Sequence, residues 1–281
     1  MKKLIIYAFL MLAGSAFIAC SESITYPSIS ENDTKVHHPG QFVWHDLVSP
    51  NPKASLEFYK NVFGWTSTAL GSNETTYHTI YSNGKAIGGI SKLDPSYGTV
   101  GEWIGSMSVS DVSNAVKYNK EQGGKTIFNT MNAKGRGKVA LVQDPQGAII
   151  SFIRSESGDP DVAINQTWLW NELWTDDLEA STDYYKSLVP YATEKAEQAK
   201  NPYHIFTNND KKLAGIMAIP VNDMRTSWIP YIRVNDIKSV VEKAKNAGAY
   251  IIMEPSEKIR NGTLAFIQDP VGAKFALQQL N

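Results

Sequence analysis

From residue 42 onward, apolar and polar positions follow two alternating rhythms. Residues 42–48 form a short aromatic and β-branched run that ends at Ser49-Pro50-Asn51-Pro52, which predicts a strand entering a turn. Residues 53–63 then place Ala54, Phe58, Tyr59, Val62 and Phe63 at helical spacing. Residues 76–81 and 86–93 predict strands joined at Asn83-Gly84, a strong hairpin dipeptide. A further strand is predicted at 103–109, and residues 112–122 form an amphipathic helix that stops at Gly123-Gly124. Later, Ile237, Val240, Val241 and Ala244 share one helix face, which Gly248 ends. Asp144-Pro145-Gln146-Gly147 and Asp269-Pro270-Val271-Gly272 read as turns before the last strands.

The pattern occurs twice. Phe42-Val43-Trp44-His45-Asp46-Leu47 matches Trp168-Leu169-Trp170-Asn171-Glu172-Leu173 at an offset of 126. Tyr77-His78 matches Tyr203-His204 at the same offset, while Trp103, Val109 and Asp111 match Trp228, Val234 and Asp236 at 125. A period this long is a domain duplication, not a solenoid. The halves span 41–155 and 166–281, joined by 156–165, with Gly158 and Pro160 in the joint.

The N-terminus has a different character. Lys2 and Lys3 precede an apolar run, then small residues, then Cys20, the chain's one cysteine. This order reads as an export signal over 1–19. It resembles a bacterial lipoprotein signal, which implies lipidation of Cys20, an exported protein of the cell envelope, and a membrane partner through that lipid. Phe17 departs from the aliphatic residue usual at that place. Residues 20–40 are polar and read as a solvated tether, His37 and His38 included. The remaining composition is globular: 281 residues, 42% hydrophobic, net charge −1. It offers no basic patch for nucleic acid, and one cysteine leaves no intrachain disulfide. No phosphate loop, nucleophile elbow or zinc-type helix motif occurs.

The strand ending at Asn51 or Asp177, the Phe58-Tyr59 and Tyr184-Tyr185 helices, Val-x-Asp before the second helix and Asp-Pro-x-Gly before the last strand together resemble the vicinal oxygen chelate superfamily. That group includes glyoxalases, extradiol dioxygenases and bleomycin-resistance proteins. The resemblance covers both halves. It implies an α+β fold of two tandem domains, each of paired βαβββ modules forming a cupped mixed sheet with helices outside. Its metal-dependent members draw His and Glu ligands from four places per domain. Carried over, those places hold Trp44 and Trp170, Gly88-Gly89 and Ala214-Gly215, Trp103 and Trp228, and Ser151 and Ala276. None is a usual ligand of a hard divalent ion. A one-residue shift on the first strand would bring in His45, a weak metal candidate whose counterpart is Asn171. No cofactor is expected; a divalent metal is the alternative.

The expected ligand-binding residues are therefore Trp44, Asp46, Tyr77, Trp103, Trp170, Glu172, Tyr203 and Trp228. Indole faces stack on planar or cationic ligands, and Asp46 and Glu172, two residues beyond Trp44 and Trp170, share their strand face and are candidate proton acceptors. Each of the Trp residues also suits core packing, Asp46 and Glu172 also suit a structural ion pair, and packing is the favoured reading for Tyr77 and Tyr203. Arg136 and Arg260 read as solvated loop residues, and His78 and His204 as surface or interface residues. Three functions stay open: a metal-independent protein binding a small, partly aromatic molecule; a metal-dependent lyase, isomerase or dioxygenase; and a structural lipoprotein.

Overall fold

The computed structural model describes residues 24–71, 77–161, 167–196 and 202–280; the export signal and Cys20 lie outside the described residues. The first half runs β1 (Phe42–Ser49), α1 (Pro52–Phe63), β2 (Thr66–Leu70), β3 (Tyr77–Ser82), β4 (Lys85–Lys92), β5 (Glu102–Ser108), α2 (Val112–Glu121), β6 (Lys125–Ala133), β7 (Gly137–Gln143) and β8 (Ile149–Ser155). The second repeats it: β9 (Trp168–Thr175), α3 (Leu178–Leu188), β10 (Ala192–Lys195), β11 (Tyr203–Asn208), β12 (Lys211–Ala218), β13 (Ser227–Val234), α4 (Ile237–Asn246), β14 (Tyr250–Met253), β15 (Leu264–Gln268) and β16 (Lys274–Gln279). Each half is one eight-stranded mixed sheet, ordered β2-β3-β4-β1-β5-β8-β7-β6 and β10-β11-β12-β9-β13-β16-β15-β14. The first strands of the two modules, β1 with β5 and β9 with β13, pair antiparallel at the centre. Two βαβββ modules thus join into one curved sheet.

The repeated motifs have local causes. Asn51, Asp111, Asp177 and Asp236 cap the four helices, each accepting the backbone N–H three residues on, from Ala54, Asn114, Ala180 and Ser239. Asp144 Oδ1 accepts from the N–H groups of Gln146 and Ala148, and Asp269 Oδ1 from those of Val271 and Ala273. These bonds close the turn that the Gly of Asp-Pro-x-Gly completes at φ 106° and 97°.

The helices lie on the convex face of each sheet, as expected, with Glu57, Lys60, Lys117, Lys186 and Lys238 exposed on their outer sides. The two convex faces meet, with α1 against α4 and α2 against α3. One core cluster joins Leu47, Phe58 and Ile90 of the first half to Val241, Phe275 and Leu277 of the second. A second joins Met107, Val116 and Phe152 to Tyr185, Phe206 and Trp228. The concave faces point away from each other.

Residues 24–40 are not a solvated tether. They run as an extended strap across the first half, with Tyr26, Ile29 and Ser30 buried. Tyr26 N donates to Lys134 O, Ser30 N to Ser157 Oγ and Gly40 N to Ser108 O. Asp159 accepts from His38 N at 2.6 Å and Ser108 Oγ at 2.6 Å, while its own N–H donates to Val36 O. Composition missed this because the strap is held through its backbone. Its exposed polar side chains, Glu31, Asn32, Asp33 and Lys35 among them, are what composition registered. Among the described residues no helix is long and apolar enough to cross a membrane.

Candidate functional site

Strand alternation puts Trp44 and Asp46 on the concave face of the first sheet, and Trp170, Glu172 and Trp174 on that of the second. The register extends both floors. Asp46 lies beside Gly89 on one side and Ile104 on the other, and Trp44 lies beside Ser106, which pairs with Ser151. Glu172 lies between Gly215 and Ile229, and Trp170 beside Tyr231, which pairs with Ala276.

A carboxylate–phenol–guanidinium cluster fills the first cup. Tyr77 OH donates to Asp46 Oδ1 at 2.6 Å and Trp44 Nε1 donates to the same oxygen at 3.0 Å. Arg136 reaches Asp46 Oδ2 at 3.3 Å and Tyr77 OH at 2.8 Å, with its guanidinium 4.5 Å above the Trp44 ring. The second cup repeats the pattern. Tyr231 OH and Trp174 Nε1 donate to Glu172 Oε1 at 2.6 and 2.7 Å, and Arg260 lies 3.4 Å from Glu172 Oε2. Trp170 Nε1 donates to Tyr203 OH at 3.1 Å. Burial holds Tyr77, Tyr203 and Tyr231 above the ordinary phenol value, so they act as donors and not as nucleophiles.

The glycines of these cups have a reason. A Cβ on Gly89 would lie 1.9 Å from Tyr77 OH, and one on Gly215 would lie 2.1 Å from Tyr203 OH. The phenol of the neighbouring strand occupies the space that a side chain at these positions would need.

Trp44, Asp46 and Tyr77 therefore come together, as do Trp170, Glu172 and Tyr203. Trp103 and Trp228 do not join them. Trp103 pairs with Leu47 and Trp228 with Leu173, on the convex face. There Trp103 Nε1 donates to Tyr59 OH at 2.7 Å, and Tyr59 OH donates across to Asp269 Oδ2 at 3.0 Å. The twin set is Trp228 Nε1 to Tyr185 OH at 2.8 Å and Tyr185 OH to Asp144 Oδ2 at 2.7 Å. These two triads clasp the halves together. The side chains that face the cups from these strands are Ile104 and Ser106 in the first half and Ile229 and Tyr231 in the second. Counting from a landmark was one residue out of phase, and a single step reverses the face. His45 is also on the convex side, stacked on Trp168 at 4.2 Å and bonded to Asn171 Oδ1 at 2.7 Å. Burial lowers its pKa to about 4. It sits in the seam between the halves, away from either cup. His78 and His204 are half-buried on β3 and β11.

Arg136 and Arg260, expected in solvent, are the residues that sequence reasoning misplaced most. Their visible signal was position: each stands just before a penultimate strand of its half. The two cups differ in exposure. The Arg136 side chain is 5% exposed and the Arg260 side chain 41%. Trp44 and Tyr77 are buried, whereas Trp170 and Tyr203 are only partly so. Tyr26 of the strap covers the first cup. In the second, Met217 and Met253 border the aromatic floor, partly exposed.

Residues 165–277 match the family described as Glyoxalase/Bleomycin resistance protein/Dioxygenase superfamily. This chain carries a domain of that superfamily. The duplicated motifs and the second sheet of identical strand order give the first half the same architecture. The anthracycline biosynthesis protein DnrV of Streptomyces peucetius is 29% identical over 262 residues, covering 86% of this chain and 94% of that one. CFP32 of Mycobacterium bovis, named as a candidate glyoxylase, is 26% identical over 241 residues, covering 83% and 92%. In fold, the chain is similar to the Mn(II)-bound glyoxalase of Novosphingobium aromaticivorans (TM-score 0.58, 10% identity, 87% and 83% covered). It is also similar to the 2,3-dioxygenase LapB of Pseudomonas sp. KL28 (TM-score 0.55, 12% identity, 87% and 92% covered).

The Novosphingobium aromaticivorans glyoxalase is Mn(II)-bound. Among the described residues the cups present Asp46 and Glu172, whose oxygens already accept from an indole, a phenol and a guanidinium. Among the described residues no cluster of three His, Cys, Asp or Glu side chains occurs. A guanidinium 3.3–3.4 Å from the carboxylate also occupies the ground a cation would take and repels it. These residues do not fit a hard divalent ion.

Proposed function

We propose that this protein binds a small, planar, partly aromatic molecule in its second cup without a metal, and that lipid on Cys20 tethers it to the cell envelope. The observation that supports the site most is the pair of Trp170 and Arg260 at the mouth of that cup. An indole and a guanidinium, both reachable from solvent, stand over a floor of Tyr231 and Glu172. Tyr231 stacks under Arg260 with 5.5 Å between guanidinium and ring centroid. A planar ligand sliding over Trp170 gains stacking area and meets a fixed cationic donor. Met217 and Met253 adapt the rim to its outline. The name of the relative DnrV, in anthracycline biosynthesis, agrees with an aromatic ligand.

The same geometry argues for recognition over proton abstraction. Glu172 accepts from Trp174, Tyr231 and Arg260, leaving little acceptor capacity for a substrate proton. Its role in this reading is to hold Arg260 in place. The test is a titration of planar phenols and aryl ketones followed by tryptophan fluorescence, with elemental analysis of protein purified without added metal. Saturable quenching that Trp170→Ala weakens at least tenfold is expected. A stoichiometric divalent ion with metal-stimulated turnover of α-ketoaldehydes or catechols would replace this reading with metal-dependent catalysis. Export and acylation are tested by metabolic labelling with a radioactive fatty acid, which Cys20→Ser should abolish.

A further inference from the structure

The strap treats the first cup as a ligand treats a binding site. Tyr26 is 7% exposed and enters the cup ring first. Its ring meets Tyr77 edge-on at 5.2 Å and lies 5.1 Å from the Arg136 guanidinium. The guanidinium is therefore held among the Tyr26, Trp44 and Tyr77 rings. The β6–β7 hairpin is shaped for the strap. A Cβ on Gly135 would lie 2.4 Å from Tyr26 O, and Gly135 has φ 84°, so only glycine fits under it. In the second cup the matching Trp170 and Arg260 are partly exposed.

Tyr26 satisfies the apolar demand of the cup and leaves its polar demand unmet. Among the described residues, Arg136 Nε has no acceptor and Tyr26 OH has no partner, and both are buried. Burial also pushes the Tyr26 phenol up to about 12, so it stays neutral. Beside them remains a cavity of about 20 Å³, bordered by Asp46, Ser106, Arg136 and Ser151.

We infer that the first cup is a second binding site, for a neutral planar aromatic carbonyl compound, and that Tyr26 of the strap is its built-in competitor. The ring of such a ligand would take the place of Tyr26, and its carbonyl oxygen would accept from Arg136. A neutral acceptor is favoured because Asp46, on the same guanidinium, repels a carboxylate. The inference does not depend on the second cup.

Calorimetric titration of the full chain tests it with three probes: 4-methylacetophenone, p-cresol and 4-methylbenzoate. Tyr26→Ala is expected to take up one more equivalent of 4-methylacetophenone than the unaltered protein. Its affinity for that probe should be about tenfold above that for p-cresol, which lacks the carbonyl, and 4-methylbenzoate should bind no better than p-cresol. Adding Ser106→Phe, which fills the cup from its floor, should remove the extra equivalent. Equal stoichiometry in Tyr26→Ala and the unaltered protein would overturn the inference, as would an extra site insensitive to Ser106→Phe. If Tyr26→Ala does not fold, hydrogen exchange decides in the unaltered protein. Saturating 4-methylacetophenone should speed amide exchange at least fivefold across residues 26–36 as the strap is displaced, and unchanged exchange there would overturn the inference.

Discussion

Tyr59→Phe removes a single hydroxyl from the clasp between the halves. That hydroxyl accepts from Trp103 Nε1 at 2.7 Å and donates to Asp269 Oδ2 at 3.0 Å, on a ring only 1% exposed. Its loss forfeits a hydrogen bond to a carboxyl group, about 1.5–3 kcal/mol, and leaves a buried indole N–H unpaired, about 1–3 kcal/mol. The phenyl ring keeps its stacking on Trp65 at 5.2 Å, so little apolar packing is lost. The expected destabilisation is about 3–5 kcal/mol, a large share of the roughly 5–15 kcal/mol that folded domains possess. Urea unfolding followed by tryptophan fluorescence measures it, with the slope unchanged if only stability has moved. Tyr185→Phe, which cuts the twin triad, should cost a similar amount. A loss under about 1 kcal/mol for both variants would refute the claim that these triads hold the halves together.

Burial raises the Asp269 carboxyl to about 6 against an unfolded value near 4, so the stability it contributes is fully present below pH 4 and is lost as pH rises through 6. A displacement of that size corresponds to roughly 3 kcal/mol. His45, lowered to about 4, works in the opposite sense, losing stability as pH falls from 6.5 towards 4. The difference between the unfolding free energies of Asp269→Asn and the unaltered protein from pH 4 to 7 should isolate the aspartate, and a flat difference would be contrary to this reading. Gly215→Ala forces its Cβ onto Tyr203 and Trp170 and should cost about 1–3 kcal/mol while weakening ligand quenching; normal stability and binding would show that the phenol can move freely. Trp103→Ala should leave ligand affinity in the second cup within about twofold while costing about 3–5 kcal/mol of stability in chemical unfolding. Lost affinity in a folded protein would return Trp103 to a binding role.

Much of the architecture was legible from residue pattern alone. Asn51, Asp111, Asp177 and Asp236 announce helices because a short side chain can reach the N–H three residues on, a contact made within one turn of chain. The Asp-Pro-x-Gly turns are equally local. Trp44 with Asp46, and their counterparts Trp170 with Glu172, could be nominated together because alternation along a strand is short-ranged, while Tyr77 and Tyr203 stand at the start of another matched pair of strands. What failed was everything that depends on distant partners. Arg136 and Arg260 sit on loops, and nothing nearby in sequence says that a carboxylate 90 or 88 residues earlier will hold them.

The sequence by itself determined the duplication, the βαβββ modules and their caps, since these follow from repetition and local hydrogen bonding. Only the tertiary structure decided that the strap closes the first cup, because a polar strap docks through its backbone, whose hydrogen-bonding groups are the same for every residue type. It alone also decided that Trp103 and Trp228 clasp the halves while Ser106 and Tyr231 face the cups. Side chains on a strand alternate with a period of two, so the pairing register, and not the residue type, assigns each to ligand or core.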